Sequence, residues 1–300
     1  MFNLRNTVLL ISTLLAFFII VTNHRISLQE DLIFEIKQGD SLQEVAYELK
    51  NRDLILNQFF FILNARILNI DQTIKAGEYL LSKSESIFTL QKKFLEGDTL
   101  SRKLQLLEGM TVREILKLGN SEGIVDDING DLEKFKLKLN IVGQAEGLLF
   151  PDTFFYKKGD LFSSLLKRAF DKQQIVYIDL WNSRQEDLPY SSLIEAITLA
   201  SIIEKEGLEK EMIAGVFVNR LRKKMKLQSD PTVIYALGLK FDGNIKRSHL
   251  RIDNPYNTYR YKGLPPGPIG LVSLSSIQAA LNPKQSEYLY FVSMNNGFHK

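Results

Sequence analysis

The chain is expected to be an α+β protein, with an N-terminal transmembrane helix, a small region of strand–turn–helix units, and a larger mixed α+β region. Three observations lead there. A continuous apolar run occupies residues 8–21. A strand, turn and capped-helix pattern recurs between residues 33 and 116. All eight prolines lie at or after Pro151, so the two halves are punctuated differently and should differ in architecture.

The apolar run Val8–Val21 reads VLLISTLLAFFIIV, with Arg5 before it and His24 and Arg25 after it. A bilayer span needs roughly 20 residues, which Thr7, Thr22 and interfacial helix ends nearly supply. Residues Ile20–His24 contain no small-residue pair of the kind a signal peptidase cuts. The expectation is an uncleaved, single-pass signal anchor over residues 1–28, with its N-terminus in the cytoplasm and the remainder outside.

In the first repeat, Ile33–Ser41 (IFEIKQGDS) precedes the amphipathic Leu42–Leu49. In the second, Leu104–Thr111 (LQLLEGMT) precedes Val112–Leu116. Each is an alternating strand, a glycine turn, a Ser or Thr N-cap with a nearby Glu, and a short helix. A weaker copy without the glycine runs from Tyr79 to Phe94. The pattern in residues 33–50 resembles the start of a LysM module, a small βααβ fold that grips N-acetylglucosamine polymers, and residues 29–100 are expected to form such a LysM-like domain. Gln58–Leu63 (QFFFIL) is apolar for a surface sugar reader, which favours a spacer or docking role over glycan binding.

Residues 120–143 read as turn-rich loop with one short helix. Helices are expected over Phe162–Trp181, with Leu165, Leu166, Ala169 and Phe170 on the buried face, and over Leu193–Glu206 and Met212–Met225. A fourth helix should start at Asp230 as N-cap, followed by proline. A fifth should cover Ser273–Leu281, and Tyr288–Val292 should be a buried strand.

Composition excludes several functions. With 45% hydrophobic and 24% charged residues the chain is globular. Net charge +3 and the lack of a Lys/Arg block argue against nucleic acid. There are no cysteines, and His24, His249 and His299 share no ligand spacing, so neither thiol nor metal chemistry is expected. Residues 263–270 (GLPPGPIG) are too proline-stiffened to cradle phosphate with free N–H groups. No cofactor is expected. Carboxylates, hydroxyls and amides remain, a palette that suits carbohydrate chemistry.

The stretch Leu199–Gly207 (LASIIEKEG) concentrates that palette, because a buried helix here runs out into two acids. Partial desolvation raises the pKa of such an acid and fits it to donate protons near neutrality. At about 100° per residue, Glu204 falls on the face of Leu193, Ile197 and Ala200, whereas Glu206 falls on the rim between Leu199 and Ile202. Burial nominates Glu204 and access nominates Glu206, so periodicity leaves both open.

Ordered blocks then carry a resemblance across essentially the whole chain. They are Glu146–Tyr156 (EGLLFPDTFFY), Ala200–Glu206, Val216–Leu221 (VFVNRL), Leu227–Tyr235 (LQSDPTVIY), Asn257–Tyr259 with Gly263–Gly267, Asn282–Pro283 and Tyr288–Val292. In this order they resemble the endolytic murein transglycosylases of the YceG-like family. The resemblance implies a transglycosylase domain over residues 101–300 with one catalytic glutamate, here Glu206. It implies cleavage of the MurNAc-β-1,4-GlcNAc bond within peptidoglycan strands to give 1,6-anhydroMurNAc ends, which terminates nascent glycan elongation. It also implies an inner-membrane location with the C-terminal domain in the periplasm, and peptidoglycan strands and peptidoglycan synthases as partners.

For supporting roles, Gln228 and Asn257 are expected to hold N-acetyl groups or orient Glu206, with a structural role equally open. Tyr235 and Tyr259 are expected to stack on sugar rings, and Glu146 to bind glycan or brace its segment. Two departures from the family stand out. Gly207 replaces a small hydroxyl residue and favours helix termination, and the family usually runs on past the Phe298–Lys300 stretch through a further Phe/Thr-rich strand and a terminal helix. A non-catalytic peptidoglycan-binding scaffold is the alternative reading. A pyridoxal-phosphate lyase is a third, disfavoured by the signal anchor.

Overall fold

The computed structural model describes residues 4–22, 28, 30–67, 74–83 and 85–291. It divides into two compact units, residues 1–102 and 103–300. Helix α1 covers Leu4–Thr22 and exposes Val8, Leu9, Leu10, Ile11, Ile19 and Ile20. Among the described residues no helix is long and apolar enough to cross a membrane. Residues 1–3 and 23–27 of the expected anchor lie outside the described residues.

The first unit continues with β1 (Leu32–Ile36), α2 (Leu42–Asn51), α3 (Gln58–Ile67), β2 (Gly77–Leu81) and α4 (Ile87–Glu96). Strands β1 and β2 pair antiparallel, with Phe34 opposite Tyr79. Alternation puts Phe34 and Ile36 in the core and turns Ile33 and Glu35 outward. Ser41 caps α2 in a capping box with Glu44, and Ser86 caps α4. The core gathers Phe34, Phe61, Tyr79 and Phe94, the last two rings meeting edge-on at 4.7 Å. A buried amide pair pins α3 to α4: Asn64 Nδ2 donates to Gln91 Oε1 at 2.6 Å, and Gln91 Nε2 donates to the Phe61 carbonyl at 2.7 Å. The apolar α3 sequence is only half used, because Phe59, Leu63 and Ile67 stay exposed.

The second unit opens with β3 (Arg102–Gln105) and α5 (Val112–Leu116), whose Thr111 N-cap forms a capping box with Glu114. There follow α6 (Leu132–Leu139), β4 (Thr153–Tyr156), which pairs with β3, and α7 (Phe162–Asn182). Then come α8 (Leu193–Glu206), α9 (Lys210–Arg222), α10 (Asp230–Leu237) and α11 (Leu274–Leu281). Every residue of α8 from Ala196 to Ile203 is buried, because α7, α9, α10 and α11 all pack on it. Ser192 and Glu195 form its capping box. Two apolar clusters result, one around α8, α9 and α11 and one around α5, α6 and the first half of α7. The stretch 269–272 serves both, since Ile269 and Val272 belong to the first cluster and Leu271 to the second.

Glycine permits two close approaches. A Cβ on Gly270 would lie 2.5 Å from the Gly109 carbonyl oxygen, where the Gly109 and Leu271 N–H groups pair with the Leu271 and Met110 carbonyls. A Cβ on Gly215 would lie 2.3 Å from the Lys284 carbonyl oxygen, so α9 can lie directly against that segment.

Three expectations need correction. Residues 288–291 form no strand, and Tyr288 and Tyr290 are exposed; Val292 lies outside the described residues. The carbonyls of this segment meet side chains of α9 in place of a neighbouring strand. Asn219 Nδ2 donates to Ser286 and Tyr288, and Arg220 Nε donates to Leu289 at 2.6 Å. Ser229 occupies the N-cap position of α10 and Asp230 is its first residue, with the Asp230 carboxylate taken by Tyr259. Gly207 ends α8 in extended backbone (φ 167°), a conformation open to any residue.

Burial of α8 should outweigh its capping in stability. Leu199→Ala is expected to cost about 2–5 kcal/mol and Ser192→Ala about 1 kcal/mol, measured as midpoint shifts in urea unfolding of the full chain. Equal losses would show that the cap holds the helix.

Candidate active site

Both acids of the Leu199–Gly207 stretch are partly buried, and their surroundings separate them. Glu204 is tied down. Its Oε1 accepts from Lys210 Nζ at 2.9 Å, and its Oε2 accepts from the Ser273 N–H at 2.9 Å and the Ser273 hydroxyl at 2.5 Å. Burial acts to raise its pKa, but these charge-assisted bonds outweigh it and hold Glu204 below its usual value. It is an ion pair joining α8, α9 and the start of α11.

Glu206 is different. Its Oε1 accepts a bond from the Ser229 hydroxyl, and no ion pair to it exists among the described residues. Burial raises its pKa above the usual value; the Ser229 bond lowers it, the charge of Asp230 raises it, and Arg220 lowers it. The net direction is upward, in favour of the protonated form. The helical wheel, read for burial alone, pointed to Glu204 as the perturbed acid. Lys210, at the start of α9, and Ser273, 69 residues from Glu204, reverse that.

The wall beside Glu206 is a hydroxyl network that sequence reasoning missed. Ser229 is buried, its N–H donates to Thr258 Oγ1 at 3.0 Å, and Thr232 Oγ1 donates to the Ser229 carbonyl at 2.7 Å. Thr232 and Thr258 share a 2.8 Å hydroxyl contact. Arg220, also buried, donates to the Leu227 and Leu289 carbonyls and lies 4.8 Å from the Tyr290 ring centre. Tyr259 donates to Asp230 Oδ1 at 2.6 Å, and burial together with that carboxylate raises its phenol pKa. The signal available in sequence was the position of Ser229 and Thr232 inside the Leu227–Tyr235 block.

The other expected site residues divide. Asn257 is fully buried and spends its amide on backbone: Nδ2 donates to Leu250 and Ile252, and Oδ1 accepts from the Tyr259 N–H. It therefore braces the loop that presents Tyr259 and makes no contact with Glu206. Gln228 is exposed, with φ +51° and its N–H on the Thr258 carbonyl, and its side chain forms no hydrogen bond to Glu206. Tyr235 and Glu146 meet each other, the Tyr235 hydroxyl donating to Glu146 Oε2 at 3.2 Å, while the Val112 N–H donates to Oε1 at 2.9 Å. Glu146 is 9% exposed, and burial lifts its carboxyl to about 7.

Two concavities flank that pair. One of about 910 Å³ runs from Arg113 and Lys117 to Gln144 and Tyr256, and the other, of about 660 Å³, is bounded by Lys205, Pro231 and Phe241. Arg113, Lys117, Glu146 and Tyr235 line both, so together they form one trough. Glu206 lines neither, but Lys205 is its chain neighbour and Pro231 lies two residues from its partner Ser229. No group of His, Cys, Asp and Glu among the described residues is arranged to hold a metal ion.

The YceG-like family is matched over residues 34–300, and the chain belongs to it. It is similar to the endolytic murein transglycosylase of Bacillus subtilis (strain 168), at 34% identity over 285 residues, covering 87% of this chain and 78% of that protein. It is also similar to the endolytic murein transglycosylase of Streptococcus pneumoniae (strain ATCC BAA-255 / R6), at 31% identity over 86% of this chain. The chain spans 53% of that protein, about half its length. Among solved structures, a yceG-like protein from Listeria monocytogenes matches with a TM-score of 0.53 at 31% identity, covering 91% of this chain and 96% of that one.

Two titrations follow. Removing the bond that favours the charged form, Ser229→Ala should move the Glu206 pKa further up, read by carbon-13 NMR of labelled glutamate; a downward move would refute the assigned polarity of that contact. For Glu146, a folded pKa near 7 against 4.5 unfolded means that the native state binds more protons between those values. Its contribution is fully present below 4.5 and is lost as pH rises toward 7, by an amount on the order of 3 kcal/mol. Glu146→Gln should flatten the fall in stability over that window, measured by urea unfolding at a series of pH values.

Proposed function

We propose that the protein is an endolytic lytic transglycosylase of peptidoglycan, with Glu206 as its single acid–base group. The observation that carries this reading is the contrast at the end of α8. There Glu204 is ionised in an ion pair, while Glu206 is desolvated and takes its hydrogen bond from the neutral Ser229 hydroxyl. Similarity to two endolytic murein transglycosylases supports the substrate class.

The chemistry needs one carboxyl working twice. Protonated Glu206 donates its proton to the glycosidic oxygen between N-acetylmuramic acid and N-acetylglucosamine as that bond breaks. The resulting carboxylate takes the proton of the muramoyl 6-hydroxyl as its oxygen bonds to C1, closing the 1,6-anhydro ring. The acid returns to its starting state and no water is consumed. The nucleophile belongs to the same sugar, so its effective concentration is high, and the second carboxylate of hydrolytic glycosidases is not required. Ser229 orients the carboxyl, and Asn257 with Thr258 holds the loop that supports it.

In this reading residues 1–28 anchor the protein in the cell membrane as a single pass, the catalytic unit lies on the outer face, and cleavage there ends growing strands made by peptidoglycan synthases. The LysM-like unit acts as a spacer or docking domain, and the exposed apolar face of α3 supports docking.

The test incubates the full chain and its Glu206→Gln variant with un-crosslinked glycan strands and resolves the muropeptides by mass spectrometry. The parent should yield anhydro-ended products, with at least a 10²-fold loss in the variant, the scale on which acid–base groups act. Equal anhydro yields from both proteins would remove Glu206 from the mechanism.

A further inference from the structure

The trough lined by Glu146 and Tyr235 carries a charge asymmetry that acid–base chemistry does not use. Its acids are committed to backbone. Asp126 Oδ1 accepts the Ile128 and Asn129 N–H groups, Glu114 accepts the Thr111 N–H in a capping box, and Glu146 is enclosed by Val112 and Tyr235. Of its cations, Lys136 is paired with Glu133 at 3.0 Å, whereas three others stand apart from ion pairs. Arg113, Lys117 and Lys205 are exposed and line the trough, and among the described residues none of the three forms an ion pair. Arg113, in the first turn of α5, and Lys117, its C-cap, lie about one helical turn apart on the side turned to the trough. Gln144 and the Tyr256 hydroxyl, 3.1 Å apart, add amide and phenol groups on the far side.

A concave surface whose acids are hydrogen-bonded in place and three of whose cations form no ion pair is complementary to an anionic ligand. A neutral glycan strand supplies no such charge. Carboxylates do, either from the peptide stems on the strand or from the lactyl group of a strand stripped of its stems. We propose that the trough is a carboxylate-recognising subsite, with Arg113 and Lys117 as its principal contacts, that seats the acidic substituents of the glycan strand. This rests on the transglycosylase reading above for the identity of the strand, and deepens it by assigning what the enzyme reads besides sugar.

The test separates binding from turnover. Full chain carrying Glu206→Gln is titrated, by fluorescence anisotropy, with three labelled un-crosslinked strands: stems with free carboxylates, the same stems with their carboxylates amidated, and strands stripped of stems. Free carboxylates should tighten binding about tenfold over the amidated form, with the difference shrinking as salt is raised. Adding Arg113→Gln and Lys117→Gln should abolish that difference and leave binding of the amidated strand unchanged. Both side chains are exposed, so their loss leaves the fold intact, which circular dichroism checks. Stripped strands that bind like the acidic ones, and lose binding in the same double variant, would place the lactyl carboxylate in the subsite instead of the stems.

With Glu206 restored, Arg113→Gln with Lys117→Gln should raise KM about tenfold on the preferred strand and leave kcat within twofold. Equal binding of acidic and amidated strands, or an equal loss on both in the double variant, overturns the subsite. An absence of turnover by the parent together with carboxylate-selective binding would instead overturn the transglycosylase reading and leave the subsite standing.

Discussion

Burial of α8 is the constraint on which the second unit depends. Eight consecutive residues, Ala196–Ile203, are out of solvent. A helix buried all round cannot use an amphipathic stripe to set its orientation. The surrounding helices set it instead, with α11 and α9 closing one part of its surface and α7 and α10 others. The consequence falls at the C-terminal end, where the chain must leave the core and the last turn carries charge. A carboxylate there is desolvated in proportion to how far the neighbouring helices extend past it.

Two acids within three residues meet opposite fates at that end, and the difference comes from elements far along the chain. Lys210 and Ser273 reach Glu204 and hold it ionised, an interaction that also fastens α9 and the start of α11 to α8. Glu206 meets Ser229 and the low-polarity wall behind it. That wall is ordered by hydroxyls bonding to one another and to backbone, a fully satisfied arrangement that adds no charge of its own. The site thus keeps a protonatable acid without placing a cation directly on it, the condition for a group that must both give and take a proton.

The supporting layer follows the same logic of satisfied backbone. Asn257 and Arg220 are polar, buried and spent on carbonyl groups of irregular segments, which have no strand partner to pair with. Residues 286–289 are the clearest case. They run into the stretch expected as a strand from Tyr288, yet Asn219 and Arg220 take the carbonyls that a neighbouring strand would have used. Close approaches at Gly215 and Gly270 let these segments lie against helix and turn without intervening side chains.

Local patterns were legible from the chain alone. The capped helices after Ser41 and Thr111 and the ends of α8 are readable because capping and periodicity act over only a few residues. The choice of carboxylates as the functional palette came from composition, and the block order carried the family. Tertiary structure alone decided which glutamate is perturbed, because desolvation and ion pairing depend on Lys210, Ser229 and Ser273 arriving from other elements. It also decided that Asn257 braces a loop, that Asp230 answers Tyr259 in place of capping a helix, and that Glu146 pairs with Tyr235 across 89 residues. Electrostatic environment is a property of three-dimensional neighbours, and no local pattern encodes it.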